Sequence, residues 1–170
     1  MPRAVRRGSL ARKMIGWGKR MDLLGRIQAA QKEAMKARDS ARLSTVRMIL
    51  AGVKDREIAL RTTAQEMTEA EVLALMGKMV KQRQESARVY DEGGRAELAE
   101  KERAEIVVIE EFLPRALSQA EVEAAIAAAI AEAGATSIRD MGKVMTVLKA
   151  RHTGQMDFGA AGALIKARLG

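Results

Sequence analysis

The sequence lacks cysteine altogether and contains a single histidine, His152. A chain without thiols has no disulfide, thiolate metal site or cysteine nucleophile, and one imidazole excludes a metal site built from several histidines. We therefore expect neither a metal nor a cofactor. The absence of cysteine is also typical of proteins in a reducing compartment, which predicts a cytoplasmic location.

Proline, aromatic residues and long apolar runs are equally scarce. The chain has two prolines and four aromatic residues among 170 positions. No apolar run approaches the roughly 20 residues that a membrane-spanning helix needs, so we expect no membrane partner. The abundant residues are Ala, Leu, Glu, Lys, Arg and Met, which are strong helix formers. This composition predicts an all-α protein.

Acidic residues are missing from the start of the chain and few near its end. The formal net charge of +8 divides into +7 for residues 1–20, −3 for residues 21–133 and +4 for residues 134–170. The high isoelectric point thus belongs mainly to the first 20 residues. Nucleic-acid binding therefore cannot be argued from the charge of the whole chain.

The basic leader, residues 1–20, has no apolar core of the kind that secretory signals carry. Three interpretations remain open for it. Met21 is the true first residue and the leader is a start-site artefact, or the leader is a flexible basic arm. Alternatively it is an Arg-rich targeting segment, which would place the protein in an organellar matrix. We expect residues 1–20 to be disordered or absent from the native protein.

The spacing of apolar residues predicts seven helices. Three capping signatures mark helix starts, at Thr68–Glu71, Ser118–Glu121 and Ser137–Asp140. The predicted segments are 22–38, a second helix capped by Asp39 or Ser40 and fading near Arg61, a third from Thr68 to about Tyr90, a fourth over about 95–112, a fifth ending at Gly134, a sixth starting at Ser137–Asp140, and a last one capped by Asp157. Residues 151–155 are predicted to form a loop.

Pro114 marks the predicted domain boundary, since proline ends the helix before it. Residues 21–114 are expected to form an N-terminal half of the helical-hairpin type. Residues 115–170 are expected to form a small C-terminal three-helix bundle.

The segment RDMGKVM, residues 139–145, raises the question of a phosphate-binding loop. Such a loop requires a glycine five residues before its final glycine and a hydroxyl residue after the lysine. Ser137 and Val144 stand at those positions, and no strand pattern precedes them. The segment is therefore predicted to be the start of a helix, where free N–H groups still favour an anion.

A modest basic patch surrounds this helix start. Arg139 and Lys143 are four residues apart and are predicted to share a helix face. Gly142 either permits close backbone approach or relieves helix packing. The patch contains no aromatic residue on which bases could stack, and ordinary solvated charge is its alternative interpretation. The candidate RNA-binding residues are Arg139, Gly142, Lys143, Lys149, Arg151, His152 and Lys166, with Arg168 nearby.

Carboxylates are numerous, but adjacent ones such as Glu110 and Glu111 diverge around a helix and do not converge on a substrate. His152 stands in a polar segment beside Arg151, which fits a surface residue better than a catalytic base. No catalytic residue is predicted.

Three segments resemble the YqeY family. They are IVVIEEFLPRALSQAEVEAAI (106–126), DMGKVMTVL (140–148) and LIKARL (164–169), and RMIL (47–50) is similar to the family's N-terminal part. The resemblance covers about 21–170. The family shares its C-terminal region with the tail of the GatB subunit of tRNA-dependent amidotransferases, and Gly142, Val144 and Met145 match the G-x-V-M shared with that tail.

The resemblance implies an all-helical protein and a role beside tRNA. In the related subunit the tail bundle engages tRNA while another domain is catalytic, and similar modules are fused to a glutaminyl-tRNA synthetase. Members are often labelled as carbon–nitrogen ligases with glutamine as amido-N-donor. The catalytic portion has no counterpart in this chain, so no active-site residue is implied.

Three functions are therefore open. The first is a non-catalytic tRNA-binding or tRNA-affinity module, whose implied partners are tRNA and an aminoacyl-tRNA synthetase or amidotransferase subunits. The second is a helical protein–protein adaptor that uses the near-neutral N-terminal half. The third is a free-standing amidotransferase.

Overall fold

The computed structural model of the chain describes the backbone of residues 8–170 and the side chains of residues 22–170. Within these residues the chain forms seven α-helices, one 3₁₀ turn and no strand, which confirms the all-α prediction. The elements are α1 (Gly8–Ala37), α2 (Ser40–Arg61), α3 (Glu69–Glu92), α4 (Ala96–Glu110), α5 (Gln119–Ala133), the 3₁₀ turn (Ile138–Asp140), α6 (Met141–His152) and α7 (Phe158–Leu169).

The helix α1 begins at Gly8, upstream of the predicted start at residue 22. The interpretations of the basic leader stay predictions, because residues 1–7 and the side chains of residues 8–21 lie outside the described residues. Asp39 is the N-cap of α2, and its carboxylate accepts a hydrogen bond from the backbone N–H of Arg42 at 3.0 Å. As predicted, α2 ends at Arg61.

The capping box predicted at Ser118 is confirmed. The Ser118 hydroxyl accepts from the Glu121 N–H at 3.3 Å, and the Glu121 carboxylate accepts from the Ser118 N–H at 2.8 Å. Of the capping box predicted at Thr68, the bond to the Thr68 hydroxyl is present and the bond to the Glu71 carboxylate is not. Thr68 accepts from the Glu71 N–H at 3.2 Å, but the Glu71 carboxylate pairs with Arg56 of α2 at 2.9 Å. A guanidinium offers a charge-assisted hydrogen bond, which is stronger than a bond to a neutral backbone N–H.

The N-terminal half packs as two helical hairpins around one apolar core. The pair α3 and α4 turns at Gly93–Gly94 and makes the most extensive helix–helix contact among the described residues. An ion pair between Arg83 and Glu105 at 2.8 Å ties these two helices together, with only 12% and 17% of the side chains exposed. The fully buried large side chains of this core are Ile27, Val46, Ile49, Val72, Met76 and Ile109.

The EEFLP segment fastens the end of α4 to the first two helices. Glu111 pairs with Arg42 of α2 at 2.7 Å. Phe112 is buried in the N-terminal core, and the guanidinium of Arg26 lies 6.0 Å from the centre of its ring. At that distance the cation and the ring attract one another. Glu111 and Phe112 of the motif thus have structural roles.

The C-terminal half is the predicted bundle of three helices, α5, α6 and α7, around a second cluster of buried side chains. Its fully buried large members are Ile126, Val144, Leu148 and Ile165. Gly134 ends α5 in the left-handed conformation with φ at 62°, as its position after the helix predicts. That residues 21–114 and 115–170 are separate domains stays a prediction.

The two halves meet at the loop between α6 and α7. The Leu117 N–H donates to the Gln155 carbonyl at 2.9 Å, and the Gln155 side chain donates to the Arg115 carbonyl at 3.1 Å. Lys81 of α3 pairs with Asp157 at 3.2 Å. These contacts join the C-terminal bundle to α3 and to the segment that follows α4.

Gly154 lies in this junction with φ at 81°, and a Cβ atom there would come within 3.3 Å of Leu113 and 3.5 Å of Pro114. Gly134 also has a positive φ, but no atom lies within 4 Å of its added Cβ. We expect Gly134→Ala to lower the free energy of unfolding by about 1–2 kcal/mol, the cost of a left-handed non-glycine residue. Gly154→Ala should cost about 1 kcal/mol more, because it also crowds the junction.

Urea unfolding of both variants measures this difference. Equal losses of stability in Gly134→Ala and Gly154→Ala would contradict the close packing assigned to the junction.

Glu121, which pairs with Arg115 and completes the capping box of Ser118, gives the chain a pH-dependent contribution to stability. Hydrogen bonds from Arg115 and from the Ser118 N–H lower the pKa of Glu121 from 4.5 to about 2. Because the pKa is lower in the folded chain, the carboxylate stabilises the fold above pH 4.5, and this contribution is lost as pH falls towards 2. We expect the stability of Glu121→Gln to fall less steeply over that window than that of the wild type in urea unfolding at low ionic strength. Identical pH slopes would contradict this account of the cap.

Candidate nucleic-acid interface

The predicted RNA-binding residues all lie on the C-terminal bundle, but not in the arrangement that the sequence suggested. Arg139 is in the 3₁₀ turn, and Gly142 and Lys143 form the first turn of α6. Lys149, Arg151 and His152 belong to the last turn of α6, and Lys166 lies in the last turn of α7. The prediction of a loop from residue 151 is wrong, because α6 continues through His152. Basic side chains in a last turn stabilise the helix through its dipole.

Arg139 and Lys143 do not share the face of one α-helix, because the 3₁₀ turn separates Arg139 from α6. Asp140 holds this turn: its carboxylate accepts from the N–H groups of Thr136 at 3.0 Å and Ser137 at 3.3 Å. These two hydrogen bonds lower the pKa of Asp140, and the positive charge of the nearby Lys143 lowers it further by a smaller amount. Lys143 Nζ lies 3.7 Å from Asp140 Oδ1, so this lysine is partly neutralised by its own helix start.

Two other predicted residues are engaged with protein partners. Arg151 pairs with Glu132 of α5 at 2.5 Å. His152 Nδ1 lies 3.4 Å from Oε1 of Gln155 in the junction loop. Arg151 thus fastens α6 to α5, and His152 lies beside the junction of the two halves.

The remaining cations are open to solvent. Arg139, Lys149 and Lys166 are exposed, and none of them has an acidic partner among the described side chains of residues 22–170. Arg168 at the end of α7 shares both properties. We call these four residues the open basic set.

Both acids of residues 134–170 are held by backbone N–H groups. Asp140 caps the 3₁₀ turn, and Asp157 caps α7 by accepting from Gly159 at 2.8 Å and Ala160 at 3.4 Å. Neither carboxylate is free to approach the open basic set. The helices α6 and α7 and the turn before α6 therefore present positive charge that the described side chains do not neutralise.

Gly142 lies on the exposed side of α6, whereas Val144 and Leu148 are buried. No atom lies within 4 Å of the position that its Cβ would occupy. Relief of helix packing therefore does not explain this glycine. A ligand can approach the backbone of α6 closely at this point.

Sequence reasoning missed a groove at the junction of the two halves, which we call the junction groove. It has a cavity volume of about 640 Å³. Its walls come from α3, from the segment after α4 and from the loop before α7, so three distant stretches of sequence form it. Lys78, Lys81, Leu113, Met156 and Phe158 are among its lining residues. The groove thus brings an aromatic residue, Phe158, together with the cations Lys78 and Lys81, and the sequence alone did not predict this proximity.

Asp157 connects this groove to the start of α7. Desolvation opposes ionisation of this carboxyl group, but hydrogen bonds from Lys81 and from the N–H groups of Gly159 and Ala160 outweigh it and lower the pKa of Asp157. Asp157 is therefore ionised at neutral pH and holds Lys81 at one side of the groove.

Other kinds of site are not evident in the described part of the chain. Among side chains 22–170, no three histidine, cysteine or acidic residues converge as metal ligands would. None of the described helices combines the length and apolar character that crossing a membrane requires.

Comparison with known proteins supports the resemblance to the YqeY family that the sequence segments indicated. A family model described as "Yqey-like protein" matches residues 24–169. "Altered inheritance of mitochondria protein 41, mitochondrial" from Lachancea thermotolerans is 29% identical over 114 residues, which are 66% of this chain and 60% of that protein. Its counterpart from Clavispora lusitaniae is 36% identical over 91 residues, which are 54% and 51% of the two chains. The chain thus spans little more than half the length of these relatives. Because the family model covers nearly the whole chain, the chain belongs to the YqeY family.

Proposed function

We propose that the chain is a non-catalytic RNA-binding module whose C-terminal bundle contacts the phosphate backbone of tRNA. One observation carries the proposal. The open basic set has no acidic partner among the described side chains. Both acids of residues 134–170, Asp140 and Asp157, instead accept hydrogen bonds from backbone N–H groups. Cations left without partners are available to replace the counterions of phosphates.

The arrangement suits a backbone contact rather than the reading of bases. Lys149 and Lys166 lie in the last turns of α6 and α7, and Arg139 lies on the turn before α6, so the charges are spread along the bundle and are not gathered at one point. Gly142 leaves the backbone in the first turn of α6 open to approach. Dispersed cations with an accessible backbone recognise the shape and charge of a folded RNA.

The choice of tRNA rests on the family's resemblance to the tail of the amidotransferase subunit. It implies that an aminoacyl-tRNA synthetase or an amidotransferase subunit works beside this chain. The relatives are named as mitochondrial proteins. Those names favour the organellar matrix over the cytoplasm for this chain, with residues 1–20 as the targeting segment.

The double variant Lys149→Gln, Lys166→Gln tests the site. Removing two phosphate contacts should weaken tRNA binding and reduce the slope of log affinity against log salt by about 1.8, or 0.9 for each contact. Fluorescence anisotropy titrations of labelled bulk tRNA over a range of salt concentrations measure both quantities. Circular dichroism checks that the variant keeps its helical content.

The matched control is Lys32→Gln, Lys36→Gln. These lysines of α1 are also exposed and also lack an acidic partner among the described side chains. The control should keep the affinity and slope of the wild type. Equal losses in both double variants would indicate unspecific attraction, and binding that did not depend on salt would reject the phosphate contact altogether.

A further inference from the structure

The floor of the junction groove is one face of α3 that carries small residues. Ala74, Gly77 and Lys81 follow one another at helical spacing and all line the groove. Gly77 lies inside α3, where glycine is less favourable than alanine. No atom lies within 4 Å of its added Cβ, so packing within the described structure does not require a glycine there. A side chain at this position would instead take up space in the groove.

The walls of the groove suit a flat apolar group. Its apolar lining includes Leu113, Pro114, Met156 and Phe158. The volume of about 640 Å³ lies within the range of small-ligand pockets, roughly 300–1,000 Å³. A nucleobase is flat and readily packs against an aromatic ring and aliphatic side chains.

The charges in the groove favour a single anion at its edge. Lys81 is paired with Asp157 and Arg115 with Glu121. Lys78 is exposed and has no hydrogen bond or ion pair among the described side chains. It is thus the cation of the groove that remains free for a phosphate.

The groove continues towards the surface already proposed for RNA. His152, at the end of α6, lies 3.4 Å from the side chain of Gln155, which lines the groove. The last turn of α6, which carries Lys149 of the open basic set, is therefore next to the groove. An acidic peptide fits less well, because Glu110 and Asp157 also line the groove and would repel several of its carboxylates.

Resting on the proposed function, we propose that the junction groove binds one unpaired nucleotide of the RNA. Its base packs over Gly77 beside Phe158, and its phosphate contacts Lys78. The C-terminal bundle would then bind the double-stranded part by charge, while the groove adds a contact that paired nucleotides cannot make.

Two RNA probes test this division: a blunt duplex, and the same duplex with a single-stranded extension. The variant Gly77→Leu should place a side chain in the groove, since no atom lies within 4 Å of the Cβ added at this position. We expect it to bind the extended duplex roughly tenfold more weakly than the wild type does, with unchanged affinity for the blunt duplex. Lys78→Gln should reduce the salt slope for the extended duplex by about 0.7 and leave the slope for the blunt duplex unchanged.

Two variants serve as matched controls. Gly25→Leu places the same side chain at an exposed glycine within α1, where the added Cβ also meets no atom within 4 Å. Lys101→Gln removes an exposed lysine of α4 that also has no partner among the described side chains. Both controls should bind the two RNAs as the wild type does. Thermal unfolding should show that Gly77→Leu is no less stable than Gly25→Leu.

The outcomes separate this inference from the proposed function. If the wild type binds neither RNA, the proposed function fails. If the wild type binds both and Gly77→Leu binds the extended duplex at full strength, the groove assignment alone is overturned. A peptide of alternating Glu and Leu provides the third arm. Its saturable binding, lost in Gly77→Leu while RNA binding is unaffected, would overturn the nucleotide in favour of an acidic peptide.

Discussion

The α6–α7 loop packs against the segment that follows α4, and the arrangement of the two halves depends on this contact. Gly154 makes it possible, because its left-handed backbone brings the loop against Leu113 and Pro114 at a distance that a side chain would obstruct. The neighbouring Gln155 bonds to the opposing segment through both its carbonyl and its side chain. The position of the C-terminal bundle relative to α3, and with it the junction groove, follows from this contact.

Charge is distributed differently on the two sides of that contact. In the N-terminal half, many arginines are used to fasten helices, as Arg42, Arg56 and Arg83 illustrate. In the C-terminal bundle, Glu132 still fastens α5 to α6 through Arg151, but Asp140 and Asp157 cap helix starts and accept from backbone N–H groups. The open basic set consequently remains available to a ligand. Glutamates thus join helices in the N-terminal half, whereas Asp140 and Asp157 cap helix starts in the C-terminal bundle and leave the open basic set unneutralised.

The sequence predicted those features of the fold that depend only on residues close together along the chain. The all-α class, the end of α2 at Arg61, the cap at Ser118 and the end of α5 at Gly134 each follow from neighbouring residues. One prediction failed because a distant residue competes: the Glu71 carboxylate pairs with Arg56 of another helix and does not complete its capping box. The loop predicted from residue 151 was wrong for a local reason, since the basic residues of the last turn favour the continuation of α6 through His152. The junction groove could not be predicted, because α3, Leu113 and Phe158 are brought together only by tertiary packing.

The central claim is that RNA lies across the C-terminal bundle rather than along the N-terminal hairpins. Amide hydrogen exchange of the intact chain, with and without saturating tRNA, tests it most directly, because it locates the contact without altering any residue. The account predicts slower exchange at the start of α6, along α7 and in α3 around Gly77, with α1 and α2 unchanged. Slower exchange confined to α1 and α2, with the C-terminal bundle unaffected, would contradict it.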